Sequence, residues 1–268
     1  MEKAIGVIDS GIGGLTVAHE LMRQLPKEKI IYLGDTLRCP YGPRPQNEVK
    51  EFTWNMVNFL LERDIKALVI ACNTATAYTL GELKQKLNIP VIGVVQPGAR
   101  AAINITKSNK VGIIGTEGTI NSNVYNYALK KINPNIKVHS LACPLFAPMI
   151  EQGLLSGKSS RKIVKKTMDQ MHKEIDTLIL GCTHYPLIKN LIQEMLGNEV
   201  TLVSSSEETA REVSTILEVT NMLNQKVELP KHEFYTTGKN DVFIKVIKDV
   251  LGFHHNLHYP ITTEKAVI

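Results

Sequence analysis

Ala67-Leu68-Val69-Ile70-Ala71-Cys72-Asn73-Thr74 and Thr177-Leu178-Ile179-Leu180-Gly181-Cys182-Thr183-His184 follow one pattern. In each, a short apolar run ends in a small residue, then a cysteine, then short polar groups, and a helical period follows. An apolar run of strand length with no polar alternation is the mark of a strand buried on both faces, which is how parallel strands read. The pattern occurs once in each half of the chain, as expected of two similar α/β units related by an approximate two-fold axis.

The same alternation runs outward from both copies. Ile5–Asp9 reads as a strand, followed by Gly11-Ile12-Gly13-Gly14 and a helix over Leu15–Leu25. A strand at Ile30–Leu33 leads to a proline-rich loop, Asp35–Pro45, and a helix over Gln46–Arg63 with Val49, Phe52, Met56, Phe59 and Leu60 on one face. Strand Ala67–Ala71, helix Thr76–Leu87 and strand Val91–Val95 complete the first unit. The second has strands at Val111–Ile114, Ile136–Ser140, Thr177–Leu180 and Val200–Val203. Its helices fall near Ser122–Lys131, Ser160–Glu174 and Leu187–Leu196, with a segment holding Pro144 and Pro148 left without regular structure. A helix over Glu207–Leu223, a strand at Phe234–Thr237 and a helix near Asp241–Leu251 remain, and they are expected to fold back onto the first unit. The fold class is therefore α/β, two similar domains with mainly parallel sheets: residues 1–96 with 207–268, and residues 97–206.

Composition narrows the function. The chain has 268 residues, 43% hydrophobic and 21% charged, an ordinary globular balance. Its longest uncharged apolar runs are about six residues, against the ~20 that cross a bilayer, and the N-terminus lacks the pattern of a secretory leader. A cytoplasmic location follows as the expectation. Thirty-one Lys and Arg against twenty-six Asp and Glu give a net charge of +5, and the run Arg161, Lys162, Lys165 and Lys166 reads as a solvated helix face rather than a nucleic-acid patch. Cys39, Cys72, Cys143 and Cys182 show neither C-x-x-C pairing nor zinc-type spacing with histidine, so free thiols and no metal are expected.

Cys39 and Cys143 read as small buried hydrophobes. Cys72 and Cys182 differ, because each lies where an apolar strand ends and a helix begins. Ligands of open α/β sheets bind outside such strand ends, and a helix N-terminus favours a thiolate. Two thiols facing each other across a two-fold axis suit inversion of a stereocentre: one removes an α-proton, and the other returns a proton to the opposite face. An ordinary thiol, with a pKa of ~8.5, needs help in either role, and Asp9, Glu151 and His184 are candidate partners. Gly11-Ile12-Gly13-Gly14 also admits a phosphate-binding reading, but Thr16 stands where the dinucleotide fingerprint has Gly or Ala, and no Lys-Ser/Thr follows.

Five motifs in order resemble the cofactor-independent aspartate/glutamate racemases, and within them the glutamate-specific members. They are Asp9-Ser10-Gly11-Ile12-Gly13-Gly14, Cys39-Pro40-Tyr41-Gly42, Ala71-Cys72-Asn73-Thr74-Ala75, Gln96-Pro97-Gly98-Ala99 and Gly181-Cys182-Thr183-His184-Tyr185-Pro186. The resemblance implies an active site between two domains and reversible conversion of L-glutamate to D-glutamate for peptidoglycan synthesis, with no cofactor or metal. It gives Cys72 the α-proton of D-glutamate and Cys182 that of L-glutamate, assisted by Asp9, Glu151 and His184. It assigns substrate contacts to Asp9, Ser10, Pro40, Tyr41, Gly42, Asn73, Thr74, Thr116, Thr119, Thr183 and His184. A homodimer is common in the family, and inhibition of DNA gyrase is reported for some members. Leu37 replaces a smaller residue of the family pattern, and with the first strand beginning at Ala4, the regulation by a cell-wall precursor that some relatives carry on an N-terminal extension is not expected. Aspartate, one methylene shorter, stays open as a substrate, since such a difference is worth only ~1–3 kcal/mol in a pocket.

Overall fold

The structure is a computed structural model that describes residues 2–226, 228–238, 240–250 and 261–268. Its first run comprises β1 (Ile5–Asp9), α1 (Leu15–Gln24), β2 (Ile30–Gly34), α2 (Gln46–Leu61), β3 (Ala67–Ile70), α3 (Asn73–Lys86) and β4 (Val91–Gly93). A helix, α4 (Val95–Ile105), leads to β5 (Lys110–Gly115), α5 (Glu117–Asn121), α6 (Val124–Ile132), β6 (Lys137–Ala142), α7 (Phe146–Glu151) and α8 (Lys158–Met168). Then come β7 (Thr177–Gly181), a 3-10 turn at Tyr185–Ile188, α9 (Lys189–Leu196) and β8 (Thr201–Ser204). Last are α10 (Ser205–Val219), β9 (His232–Thr236), α11 (Asn240–Val250) and β10 (Ile261–Lys265).

The strands make two sheets, ordered β10-β9-β2-β1-β3-β4 and β6-β5-β7-β8. Every pairing is parallel, with Ile8 opposite Ile70 in the first sheet and Ile114 opposite Leu180 in the second. The order β2-β1-β3-β4 repeats as β6-β5-β7-β8, so the sequence repeat is also a topological one. Cys72 and Cys182 follow the equivalent strands β3 and β7. β1, β2, β3 and β7 are buried along their whole length, which is why they read as unbroken apolar runs. On the two faces of the first sheet, Val7, Leu15, Val17 and Phe234 belong to one cluster, and Ile8, Leu33, Met56 and Leu60 to another. Full burial of such a side chain contributes roughly 1.5–3 kcal/mol.

Several boundaries differ from the sequence expectations for local reasons. The third helix starts at Asn73 rather than Thr76, because the Cys72 sulfur itself caps it, accepting the Ala75 N–H at 3.5 Å. The residues after Gly93 form α4 instead of prolonging a strand, and the Pro144–Pro148 segment contains α7. Pro97 and Pro148 each fall in a first helical turn, where the missing N–H would have no partner in any case. Two helices stop early, α8 at Met168 and α10 at Val219. The last strand, β10, carried no sequence expectation, and Leu251, expected to end the last helix, lies outside the described residues. No helix among the described residues is long and apolar enough to cross a membrane.

Candidate active site

Asp9 ends β1, and its carboxylate organises the turn that follows: Oδ2 accepts the N–H groups of Gly11 and Gly14, both at 3.0 Å. The next donor, the Ile12 N–H, goes to Glu151 Oε1 at 3.0 Å. Close approach explains the glycines. A Cβ on Gly14 would lie 2.4 Å from the Asp9 Cβ, and one on Gly11 would lie 2.1 Å from Glu151 Oε1. Three N–H groups of the glycine turn are thus committed to two carboxylates, whose negative charge opposes a phosphate there.

Across from this turn, Cys182 follows β7, with its Sγ 3.6 Å from His184 Nδ1. The other ring nitrogen of His184 lies 2.5 Å from Glu151 Oε1. Burial works against a charged imidazole, but the bonds to Cys182, Cys39 and Glu151 outweigh it and hold His184 protonated well above its ordinary range. Glu151 is shifted the opposite way: burial raises its pKa, but His184 and the Ile12 N–H more than reverse that. The result is a continuous polar chain, Cys182–His184–Glu151, extended by the Cys39 thiol, which donates to Glu151 Oε1 at 3.4 Å.

Cys72 sits in a different field. Burial first and the Asp9 charge second push its thiol up to about 12, against the Ala75 N–H and Ser10. The helix N-terminus that was expected to favour a thiolate is thus overruled at Cys72, because desolvation and a neighbouring carboxylate both penalise the anion. Asp9 is itself raised by burial, an effect only partly offset by His184 and by the Gly11 and Gly14 N–H groups. Its second oxygen, Oδ1, accepts from Thr183 Oγ1 at 3.1 Å.

Both cysteines line one small cavity between the two sheets. Ser10, Pro40, Tyr41, Gly42, Asn73, Thr74, Thr116, Thr119, Thr183 and His184 line it with them. Asp9 and Glu151 are not among its lining residues; they lie behind the wall, against Thr183 and His184 respectively. Thr74 Oγ1 lies 2.8 Å from Thr116 Oγ1 and 3.1 Å from Thr119 Oγ1, joining the start of α3 to the start of α5. Gly42 closes the same seam: its carbonyl accepts the Gly118 N–H at 2.8 Å, and a Cβ there would lie 2.4 Å from the Thr116 Cβ. The Tyr41 hydroxyl is committed to Asp35 Oδ2 at 2.5 Å, leaving the ring as wall. Tyr125 donates to Asn73 Oδ1 at 2.7 Å, and the buried Asn73 Nδ2 has no partner.

Two lining or supporting residues escape the sequence reading. Ala147 lines the cavity from α7. Cys39, read as a small hydrophobe, bonds Glu151 instead, and its thiol is pushed up chiefly by burial. A signal for it exists: Cys39-Pro40 and Cys143-Pro144 occur at matched points, after β2 and after β6. Cys143 is buried, and burial also pushes its thiol up to about 12. Cys39, Glu151 and His184 together form a donor set of metal-binding type, with atoms within 4.8 Å of one another. Separations of 112 and 33 residues hide that trio from any spacing rule, and here its atoms bond one another.

The profile of the Asp/Glu/Hydantoin racemase family matches residues 5–213. The chain belongs to that family. It is 61% identical over 257 residues to a glutamate racemase of Oceanobacillus iheyensis, covering 95% of this chain and 94% of the relative. Among solved structures it resembles the glutamate racemase isoform RacE1 of Bacillus anthracis, with a TM-score of 0.93, 50% identity and coverage of 99% and 98% of the two chains. The Francisella tularensis glutamate racemase, solved in complex with D-glutamate, superposes with a TM-score of 0.88 at 37% identity, covering 100% of this chain and 97% of that one. In a family of racemases, a pair of cysteines lining one cavity from equivalent strands is the feature of greatest chemical consequence.

Proposed function

We propose that the chain interconverts L- and D-glutamate by proton transfer between two thiols, with Cys182 acting on L-glutamate and Cys72 on D-glutamate. One observation carries this reading: both sulfurs line the same small cavity, each presented by the equivalent strand of one sheet. In the L-to-D direction the Cys182 thiolate takes the α-proton, and the electron pair left on the α-carbon is delocalised into the adjacent carboxylate. The Cys72 S–H then delivers its proton to the opposite face, so each turnover exchanges the protonation states of the two sulfurs. Cys72 holds its proton tightly and His184 stands beside the Cys182 sulfur as an imidazolium, a pairing that suits proton return from Cys72.

The walls supply the remaining work. Asn73 Nδ2 is an uncommitted buried donor suited to a carboxylate oxygen, and Ser10, Thr74, Thr116, Thr119 and Thr183 offer hydroxyl groups around it. Asp9 and Glu151 act through their neighbours, Asp9 by orienting Thr183 and by its charge beside Cys72, Glu151 by keeping His184 protonated. High identity to glutamate racemases over nearly the whole chain favours glutamate over aspartate. The reading includes two domains, residues 1–96 with 207–268 and residues 97–206, a homodimer, and a cytoplasmic enzyme whose D-glutamate enters peptidoglycan synthesis.

Circular dichroism on the purified protein tests it. L-Glutamate and D-glutamate should converge on a racemic mixture, with aspartate slower by about 10–200-fold, the range one methylene supports. In deuterium oxide the inverted product should carry α-deuterium, because the returning proton comes from the second thiol. Cys72→Ala and Cys182→Ala should each lower racemisation by at least about 100-fold. Near-normal turnover in either variant would overturn the two-thiol scheme.

A further inference from the structure

The catalytic cavity does not stand alone. It shares Pro40, Gly42, Thr116 and Ala147 with a second cavity, whose remaining wall is Pro43, Glu117, Pro144 and Pro148. That second cavity shares Glu117 and Pro144 with a surface basin. Basin, proline-lined neck and two-cysteine cavity therefore adjoin in series, each sharing wall residues with the next.

The far wall of the basin is one face of α8, with Lys162 and Lys166 a helical turn apart. Their neighbours on the same helix are neutralised: Arg161 pairs with Glu194, and Lys165 with Asp169. Lys162 and Lys166 have no ion-pair partner among the described residues, and both are exposed. At the inner edge stands a single carboxylate, Glu117, in the first turn of α5. Two positive charges outside and one negative charge at the neck mirror an acidic amino acid, which carries two carboxylates and one ammonium.

We propose that this basin is an outer subsite for the substrate, in which Lys162 and Lys166 collect the two carboxylates and Glu117 meets the ammonium before the molecule passes the neck. The proposal rests on the glutamate reading above. The chemistry needs only screened attraction. At ~0.1 M ionic strength a charge acts over about 10 Å, so lysines in the basin act on an arriving anion while lysines elsewhere on the surface do not. Local potentials of this kind raise the concentration of an oppositely charged substrate at the mouth.

The test compares kcat and kcat/KM for L-glutamate at ~0.1 M and at ~1 M salt, where the reach shrinks to about 3 Å. The double variant Lys162→Glu/Lys166→Glu should lower kcat/KM about 5-fold or more at the lower salt, leave kcat within about 2-fold, and recover at the higher salt. Lys162→Gln/Lys166→Gln should fall between it and the unaltered protein. As a control, Lys130→Glu/Lys131→Glu changes net charge equally on exposed positions of α6 outside the basin, and should match the unaltered protein. The proposal is overturned if the α8 variant keeps its kcat/KM, if the control falls by the same factor, or if kcat falls equally at both salts. Racemisation by the unaltered protein, measured alongside, reports separately on the glutamate reading itself.

Discussion

At the scale of single residues, the site is governed by what surrounds each titratable group. Glu151 does not line the two-cysteine cavity, yet together with Cys182 and Cys39 it favours the charged form of His184. Glu151→Gln removes the carboxylate that favours the imidazolium, so the His184 pKa should fall toward its ordinary value. The alkaline limb of the rate profile should then move to lower pH, with kcat reduced by about 10–100-fold, as a pH series from 6 to 10 would show. Asn73→Ala should raise KM about tenfold with a smaller effect on kcat, equivalent to ~1.4 kcal/mol of ground-state binding. The buried thiols also govern stability at high pH. Cys72 and Cys143 ionise near 12 when folded, chiefly through burial, against an ordinary value of 9.0. Their pKa values are raised, so the stabilisation is complete below pH 9, where both states hold the proton. It is lost as pH rises through 12, because the unfolded chain releases protons that the folded one retains. The thermal midpoint should therefore drop steadily above pH 9, and less steeply in Cys143→Ala.

At the scale of elements, strand identity was legible because burial on both faces leaves a continuous apolar run, as at β3 and β7. Helix boundaries were less so. Proline is the clearest case: Pro148, in a segment expected to lack regular structure, and Pro97, for which no helix was expected, both sit inside first turns, and only the paths of α7 and α4 reveal it. The glycines separate in the same way, since sequence alone does not tell a glycine in open space from one against a wall. Gly42 meets Thr116 across the seam, whereas Gly81, in the middle of α3, would place a Cβ in open space. Gly42→Ala should cost about 1–3 kcal/mol through overpacking and impair turnover by displacing Thr116. Gly81→Ala should instead stabilise by roughly 0.5–1 kcal/mol, through better helix propensity. Thermal melts of the two variants beside the unaltered protein would show shifts of opposite sign.

At the scale of the whole molecule, the returning C-terminal part is tied to the first sheet by a buried charge. Lys66, just before β3, pairs with Glu28 at 2.5 Å and donates to the Met222 carbonyl at 2.6 Å. The other Glu28 oxygen accepts the Asn224 N–H at 2.7 Å, so one ion pair fastens the chain beyond α10 to the edge of the first unit. Lys66→Met leaves Glu28 buried beside an apolar group, and should cost about 3–5 kcal/mol while sparing activity per folded molecule. Denaturant unfolding against specific activity would check both halves of that statement.

By itself the sequence determined the two parallel sheets and the placing of one cysteine at the end of an equivalent strand in each. Those features are local: period and burial write them into consecutive residues. Only the tertiary structure decided that Asp9 and Glu151 stand behind the cavity wall, that Cys39 joins the histidine–carboxylate chain, and that burial and Asp9 push the Cys72 thiol up. Those outcomes depend on contacts between residues 112 or 174 positions apart and on how much water burial removes from each charge, neither of which consecutive residues encode.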